Sequence, residues 1–302
     1  MNILVLKEII LFSLIIILIL IIIRYRNLLN EQKMQNKRLK DEMKKIKECT
    51  RLKNEIFVRV SHDMRTPLGN IIMLLDLMKT NTNDRDKLIK YLNKLDNPAQ
   101  YLLGLSNDIV NMKKIEMGNV EIVNEDINIR KVILDSFAMI EEKLKEKNIK
   151  FSKNIEKLKH TNLIGDKLRL KQIFINILVN AINHTSEGGK ITFSAKEIKR
   201  TQDVEHGISK VNVEFKISDN GEGMNTEFLE HIWEAYSKDN TSCFKNVGTG
   251  LGMAITKQYI NLMNGNIEVK SEIGVGSIFI INLTFQESIN TKLDTKKIKK
   301  IA

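Results

Sequence analysis

The chain has 302 residues, 42 % of them hydrophobic and 28 % charged, with 48 basic against 37 acidic side chains and a formal net charge of +11. That apolar fraction supports a sizeable core and excludes a disordered or collagen-like chain, and the length suggests about two domains. Two cysteines, Cys49 and Cys243, exclude a disulfide scaffold and a cysteine-built zinc site, and they fit a reducing compartment.

The excess charge lies at the two ends. Residues 24–54 hold eleven basic and four acidic side chains, and residues 288–302 hold five lysines against Asp294. Together these surpluses account for the whole net charge, so a basic nucleic-acid groove in the folded body is not expected.

Ahead of the first basic run, Ile9 to Ile23 is apolar except for Ser13, and Ile3 to Leu6 extend it past Lys7 and Glu8. At 1.5 Å per residue, a helix of this length covers a bilayer core of about 30 Å. There is no basic leader and no small-residue cleavage site, and Arg24-Tyr25-Arg26 follows directly. An uncleaved single-pass anchor over 1–23 is therefore expected rather than a signal peptide. The positive-inside rule puts the remainder in the cytoplasm, with no sensor domain outside.

Residues 24–54 carry no Pro or Gly and predict a basic juxtamembrane helix. Its face either is solvated or lies on anionic lipid. Phe57, Val60, Met64, Leu68, Ile71, Leu75 and Met78 then recur at spacings of three and four. After a short polar loop with Asp84 as N-cap, so do Leu88, Leu92, Leu95, Ala99, Leu102, Ser106 and Ile109. Two such helices predict an antiparallel hairpin over 55–117, and a hairpin with apolar seams to cover predicts dimerisation into a four-helix bundle.

Beyond Gly118 the periodicity changes. Strands are expected at Val120–Val123 with Ile127, at Lys190–Lys196, Val211–Ser218, Ile267–Lys270 and Ser277–Leu283, and helices at Val132–Lys147 and Leu168–Asn183. The mixture lacks βαβ regularity and predicts an α+β sandwich with one sheet over 118–286. A disordered basic tail is expected over 287–302.

Four segments carry chemistry. On the first helix of the hairpin, Ser61-His62-Asp63-Met64-Arg65-Thr66-Pro67-Leu68 sets an imidazole beside a carboxylate, with Thr66 one turn on and a helix-bending proline after it. An imidazole with a carboxylate neighbour is a nucleophile with a base to take its proton. Chemistry alone favours an ordinary surface histidine. In the second segment, Asn176, Asn180 and Asn183 share one helix face. Three amides in an apolar helix are costly unless paired, and amide oxygens suit Mg²⁺. Third, Asp219-Asn220-Gly221-Glu222-Gly223 puts a carboxylate and glycine backbone at a strand end. On its own it is equally a turn or a calcium loop. Fourth, Gly248-Thr249-Gly250-Leu251-Gly252 opens a helix without Rossmann or Walker spacing, leaving backbone N–H groups for phosphate or serving as a capping loop.

Ser61 to Leu68 closely resembles the phospho-acceptor motif of two-component sensor histidine kinases, Ser-His-Glu-x-Arg-Thr-Pro-Leu. The other three, in their order, resemble the Bergerat-type ATP-binding domain of that family, within the class that includes gyrase, Hsp90 and MutL. The resemblance runs over roughly 54–286 by the order of the motifs. It implies that His62 accepts a phosphoryl group from ATP, assisted by Asp63, and that Thr66 positions water when the phosphorylated partner is dephosphorylated. It also implies that Asn180 ligates Mg²⁺ with Asn176 beside the phosphates, that Asp219 reads adenine, and that Gly221 and Gly223 shape the base pocket. Gly248, Gly250, Leu251 and Gly252 would end a lid whose base Trp233 anchors. Asp63 stands where Glu is usual, Trp233 where Phe is usual, and Asn183 where Lys or Arg is frequent. The partners implied are a second copy of the chain and the receiver domain of a separate response regulator, beside the lipid bilayer and with no nucleic acid. A pseudokinase scaffold is the alternative.

Overall fold

The structure, a computed structural model, describes residues 3–203, 208–237 and 249–288; in the first helix the side chains of residues 3–16 and of scattered positions up to 59 are outside that description. The expected anchor falls largely on those positions. Among the described residues no helix is long and apolar enough to cross a membrane. Gly248 and most of the expected basic tail also lie outside the described residues.

Two compact units divide at Thr66 and Pro67. The first consists of the N-terminal part of helix α1 (Ile3–Thr80), which runs unbroken through Pro67. The second begins with the last turns of α1, a three-residue turn, and α2 (Arg85–Glu116), whose N-cap Asp84 accepts from the Lys87 N–H at 3.0 Å.

Ile71, Met78, Leu88, Leu95, Leu102 and Ile109 face the hairpin seam as expected, but the positions between them are displaced by one residue. Along α2 the inward positions are Leu88, Tyr91, Leu95, Pro98, Leu102, Leu105 and Ile109, and along the end of α1 they are Pro67, Ile71, Leu74 and Met78. Leu68, Leu75, Leu92, Ala99 and Ser106, expected in the seam, are exposed. The cause is a doubled apolar stripe, because a chain with apolar residues at adjacent heptad positions satisfies two seams, of which the single hairpin covers one.

The part beyond Gly118 holds a mixed seven-stranded sheet in the order β1-β3-β7-β5-β4-β2, with β6 also on β7. Its strands are β1 (Glu125–Asn128), β2 (Lys150–Asn154), β3 (Asn162–Gly165), β4 (Lys190–Asp203), β5 (Ile208–Asp219), β6 (Asn266–Glu272) and β7 (Gly276–Glu287). β2 pairs with β4 in parallel and every other pairing is antiparallel. Burial alternates along β5, so Val211, Val213, Phe215 and Ile217 face the core. Helices α3 (Ile129–Ala138), α5 (Lys167–His184) and α7 (Gly252–Leu262) pack side by side, α5 touching both others and β5. Phe174 of α5 meets Phe193 and Phe215 at ring separations of 5.5 and 5.0 Å, the centre of an aromatic core.

Three expectations change. Val120–Val123 is not a strand: the Val123 N–H donates to Asp166 at 3.0 Å, and ladder pairing begins only at Glu125 opposite Gly165. The single helix expected over Val132–Lys147 breaks into α3 and α4 (Glu141–Glu146), with the Ile140 N–H turning back to the Phe137 carbonyl so that both side chains reach the core. The strands β2 and β3 and the short helix α6 (Thr226–His231) were not expected.

Candidate active site

His62 lies on α1 with its side chain 75 % exposed, and Asp63, 21 % exposed, places Oδ1 3.7 Å from His62 Nδ1. That is beyond hydrogen-bond length, and it sets the carboxylate on the Nδ1 side of the ring. Thr66 is exposed one turn on, and Pro67 provides no N–H for the Asp63 carbonyl.

The second cluster forms where the end of α5 meets the end of β5. Asp166 caps α5 by accepting from the Arg169 N–H at 2.9 Å, and the Lys147 ammonium donates to the carbonyls of Ile182, Asn183 and Thr185 at the other end, at 2.8, 3.0 and 3.2 Å. Both ends of this helix are fixed, and with them the face bearing Asn176, Asn180 and Asn183. Asp219 closes β5, and its Oδ1 accepts from the backbone N–H of Gly221 at 2.9 Å and of Ser277 at 3.2 Å. Burial pushes the Asp219 carboxyl above the ordinary carboxylate range, opposed by those two N–H groups and by His184. Gly223 has φ +69°, and a Cβ there would lie 1.9 Å from the Glu272 carbonyl oxygen, so only glycine lets the loop lie against the β6–β7 turn.

At the other end of the cluster the Asn176 amide joins α5 to α7. Its Nδ2 donates to the Gly252 carbonyl at 3.1 Å and to Thr256 Oγ1 at 3.2 Å, while Oδ1 accepts from Gln172 at 3.0 Å. Both ends of this side chain are thus engaged with protein, a positioning contact for the first turn of α7. By contrast, the side chains of Asn180 and Asn183 are half-buried and make no hydrogen bond with the described residues. An accessible, unengaged amide oxygen on Asn180 fits a hard divalent cation that keeps most of its ligands as water and phosphate oxygen.

Helix α7 opens at Gly252 behind Leu251, with no side-chain cap. Gly250 has φ +72°, and a Cβ on it would lie 2.9 Å from Tyr236 Cα. Its carbonyl accepts from the Tyr236 N–H at 2.8 Å, which ties together the two flanks of the segment between them. Trp233 packs edge-on to Phe279 with ring centres 6.4 Å apart, and Lys257 Nζ lies 5.6 Å over its indole; the lid it was expected to anchor lies outside the described residues.

Two contacts could not be anticipated from the motifs. His184 Nδ1 lies 2.5 Å from Glu222 Oε1, and the Thr249 hydroxyl donates to Asp108 Oδ2 of α2 at 2.8 Å. A polar residue beside each motif was the only local signal.

Residues 52–118 match the His Kinase A (phospho-acceptor) domain family, and residues 165–287 match the histidine kinase-, DNA gyrase B- and HSP90-like ATPase family. Hybrid signal transduction histidine kinase B of Dictyostelium discoideum is 35 % identical over 73 % of the chain, and sensor histidine kinase GacS of Pseudomonas protegens is 32 % identical over 84 %. The chain spans only 11 % and 27 % of those two relatives' own lengths. Among solved structures, histidine kinase ThkA in complex with response regulator protein TrrA superposes with a TM-score of 0.53 at 25 % identity, covering 76 % of this chain and 61 % of that one. With a phospho-acceptor domain followed by a gyrase-like ATPase domain, the chain belongs to the two-component sensor histidine kinases.

Proposed function

We propose that the chain is a membrane-anchored, homodimeric sensor histidine kinase that phosphorylates its own His62 from ATP and passes the phosphoryl group to an aspartate on a separate response regulator. The observation that carries this reading is an exposed His62 with a carboxylate set against one ring nitrogen, on a chain that also holds the nucleotide-type cluster. His62 Nε2 attacks the γ-phosphorus, the bond to the β,γ-bridging oxygen breaks, and ADP leaves. The phosphorylated ring sheds its Nδ1 proton toward Asp63. The step needs little covalent help from the protein beyond positioning and charge stabilisation. Asn180 would hold Mg²⁺, which neutralises phosphate charge when bound, and Asp219 accepts from the adenine amino group.

The likeness to ThkA, a histidine kinase solved in complex with response regulator protein TrrA, supports a response regulator as partner. Exposed Leu68, Ile72 and Leu75 on α1, with Leu92, Leu103 and Val110 on α2, support a second copy covering the remaining stripe. The apolar run at 3–23 followed by basic residues supports a single-pass anchor in a bacterial cell membrane with the catalytic part cytoplasmic. Thr66, one turn beyond His62, supports a regulator phosphatase activity. Incubation of the chain with γ-labelled ATP tests the central claim: label is expected on the unaltered protein and absent from His62→Gln. Label retained by that variant overturns the acceptor.

A further inference from the structure

We propose that His184 and Glu222 form a positioning pair that sets the nucleotide pocket's preference for adenine over guanine, a deepening that rests on the nucleotide reading above. His184 is the last residue of α5, and Glu222 sits between the two glycines of the loop that Asp219 begins. Residue 222 holds residue 184 at two points. The side chains meet at 2.5 Å between Nδ1 and Oε1, and the Glu222 N–H donates to the His184 carbonyl at 3.1 Å. On the far side, the Glu222 carbonyl accepts from the Gly274 N–H at 2.7 Å. The loop is therefore clamped between the end of α5 and the β6–β7 turn.

What the clamp positions is Asp219. Its Oδ1 is occupied by two backbone N–H groups, which leaves Oδ2 without a partner among the described residues. An ionised carboxylate only accepts, so it pairs with an exocyclic amino group and repels a keto oxygen at the same position. That discrimination holds only while the carboxylate is kept at hydrogen-bond distance from one edge of the base, and a shift of an ångström removes it. The His184 imidazole also favours the charged form of Asp219, on the same side of the balance as the Gly221 and Ser277 N–H groups. The pair itself is part exposed, at 30 % and 19 % of the two side chains, so its contribution to folding is small.

Calorimetric titration of ATP and of GTP into the full chain tests this, with His184→Ala, Glu222→Ala, the double variant and Glu222→Gln. In each alanine variant the ATP-to-GTP affinity ratio is expected to fall about tenfold, the worth of one charge-assisted hydrogen bond. The double variant should be no worse than either single, because the two act as one unit. Glu222→Gln, which keeps an acceptor, should recover part of the ratio. The melting temperature without nucleotide should move by less than about 3 °C. An unchanged ratio in Glu222→Ala overturns the proposal. Equal weakening of ATP and GTP with a lowered melting temperature overturns it too, marking the pair as a structural staple. An unaltered chain that binds no nucleotide overturns the pocket reading and this inference with it.

Discussion

The hydroxyl of Thr249 donates to Asp108 on α2 at 2.8 Å, and its oxygen in turn accepts from the Leu251 N–H at 3.2 Å. A backbone donor at the start of α7, one of those a phosphate would use, is thereby connected through a side chain to the phospho-acceptor hairpin. On the proposed nucleotide reading, the contact acts as a restraint on the phosphate end of the site. Asp108→Ala is expected to raise ATP affinity by about three- to tenfold, the worth of one neutral hydrogen bond. A fall in affinity, measured by calorimetry, would show that α2 supports the site instead.

The same contact has a pH dependence of definite sign. Burial raises the Asp108 carboxyl above the ordinary range, and the Thr249 hydrogen bond only partly offsets this. A carboxyl whose pKa is raised by packing favours that packing while neutral. The stability contributed by packing around Asp108 is therefore full below the ordinary carboxylate pKa and is lost as pH rises through the raised value, while the Thr249 hydrogen bond taken alone favours the ionised form. Protection factors of the α2 amides, corrected for the intrinsic pH dependence of exchange, should be higher at acidic than at neutral pH, and Asp108→Asn should remove the difference.

On the proposed adenine-reading role, Asp219 sets function against stability. Its carboxyl is raised by burial, so the ionised form that a purine amino group needs is disfavoured by folding at neutral pH. Asp219→Asn keeps an oxygen for the Gly221 and Ser277 N–H groups while removing the buried charge. ATP affinity should fall about 10- to 100-fold, and the melting temperature at pH 7 should stay level or rise. A large drop in melting temperature would show that the charge holds the loop together.

Local patterning was enough for the hairpin and for α5, because an apolar stripe and a capping aspartate are written within a few residues of each other. It failed where structure depends on distant partners. β2 and β3 are four or five residues long, and Lys150-Phe-Ser-Lys-Asn is a strand only because β4 offers it a parallel edge. β4 and β5 run beyond their apolar runs through polar residues, since Arg200 and Thr201 pair with Val211 and Lys210. The motifs single out His62, Asn180 and Asp219 as candidates. They did not disclose that the Asn176 amide is taken up between helices, or that Glu222 returns to His184 across 38 residues. Contacts of that kind depend on topology, which no short window contains.

Lys147 shows how a residue outside every motif shapes the site. Its ammonium satisfies three carbonyls at the C-terminus of α5, where the helix dipole favours a cation, although burial pulls its pKa below the usual lysine value. Lys147→Met keeps the stem and leaves those carbonyls unpaired. A loss of about 2 kcal/mol in unfolding free energy is expected by denaturant titration, with weaker ATP binding because Asn183 and His184 lie on the freed turn. An unchanged midpoint would show that water replaces the ammonium without cost.

The exposed stripe of the hairpin gives the last test. Leu68, Ile72 and Leu75 recur at spacings of four and three on α1, and the three residues are 51, 53 and 42 % exposed. Such a stripe on a helix whose other face is already packed requires a partner, and a second hairpin is the simplest one. An Ile72→Asp/Leu75→Asp double variant puts two charges into that seam, and a desolvated charge without a counter-ion costs more than a hairpin contact returns. Analytical ultracentrifugation of the detergent-solubilised chain should show a dimer for the unaltered protein and a monomer for the variant. ATP binding should be retained, because neither residue is among those that form the nucleotide cluster. A dimer that survives both substitutions would move the interface to another face of the molecule.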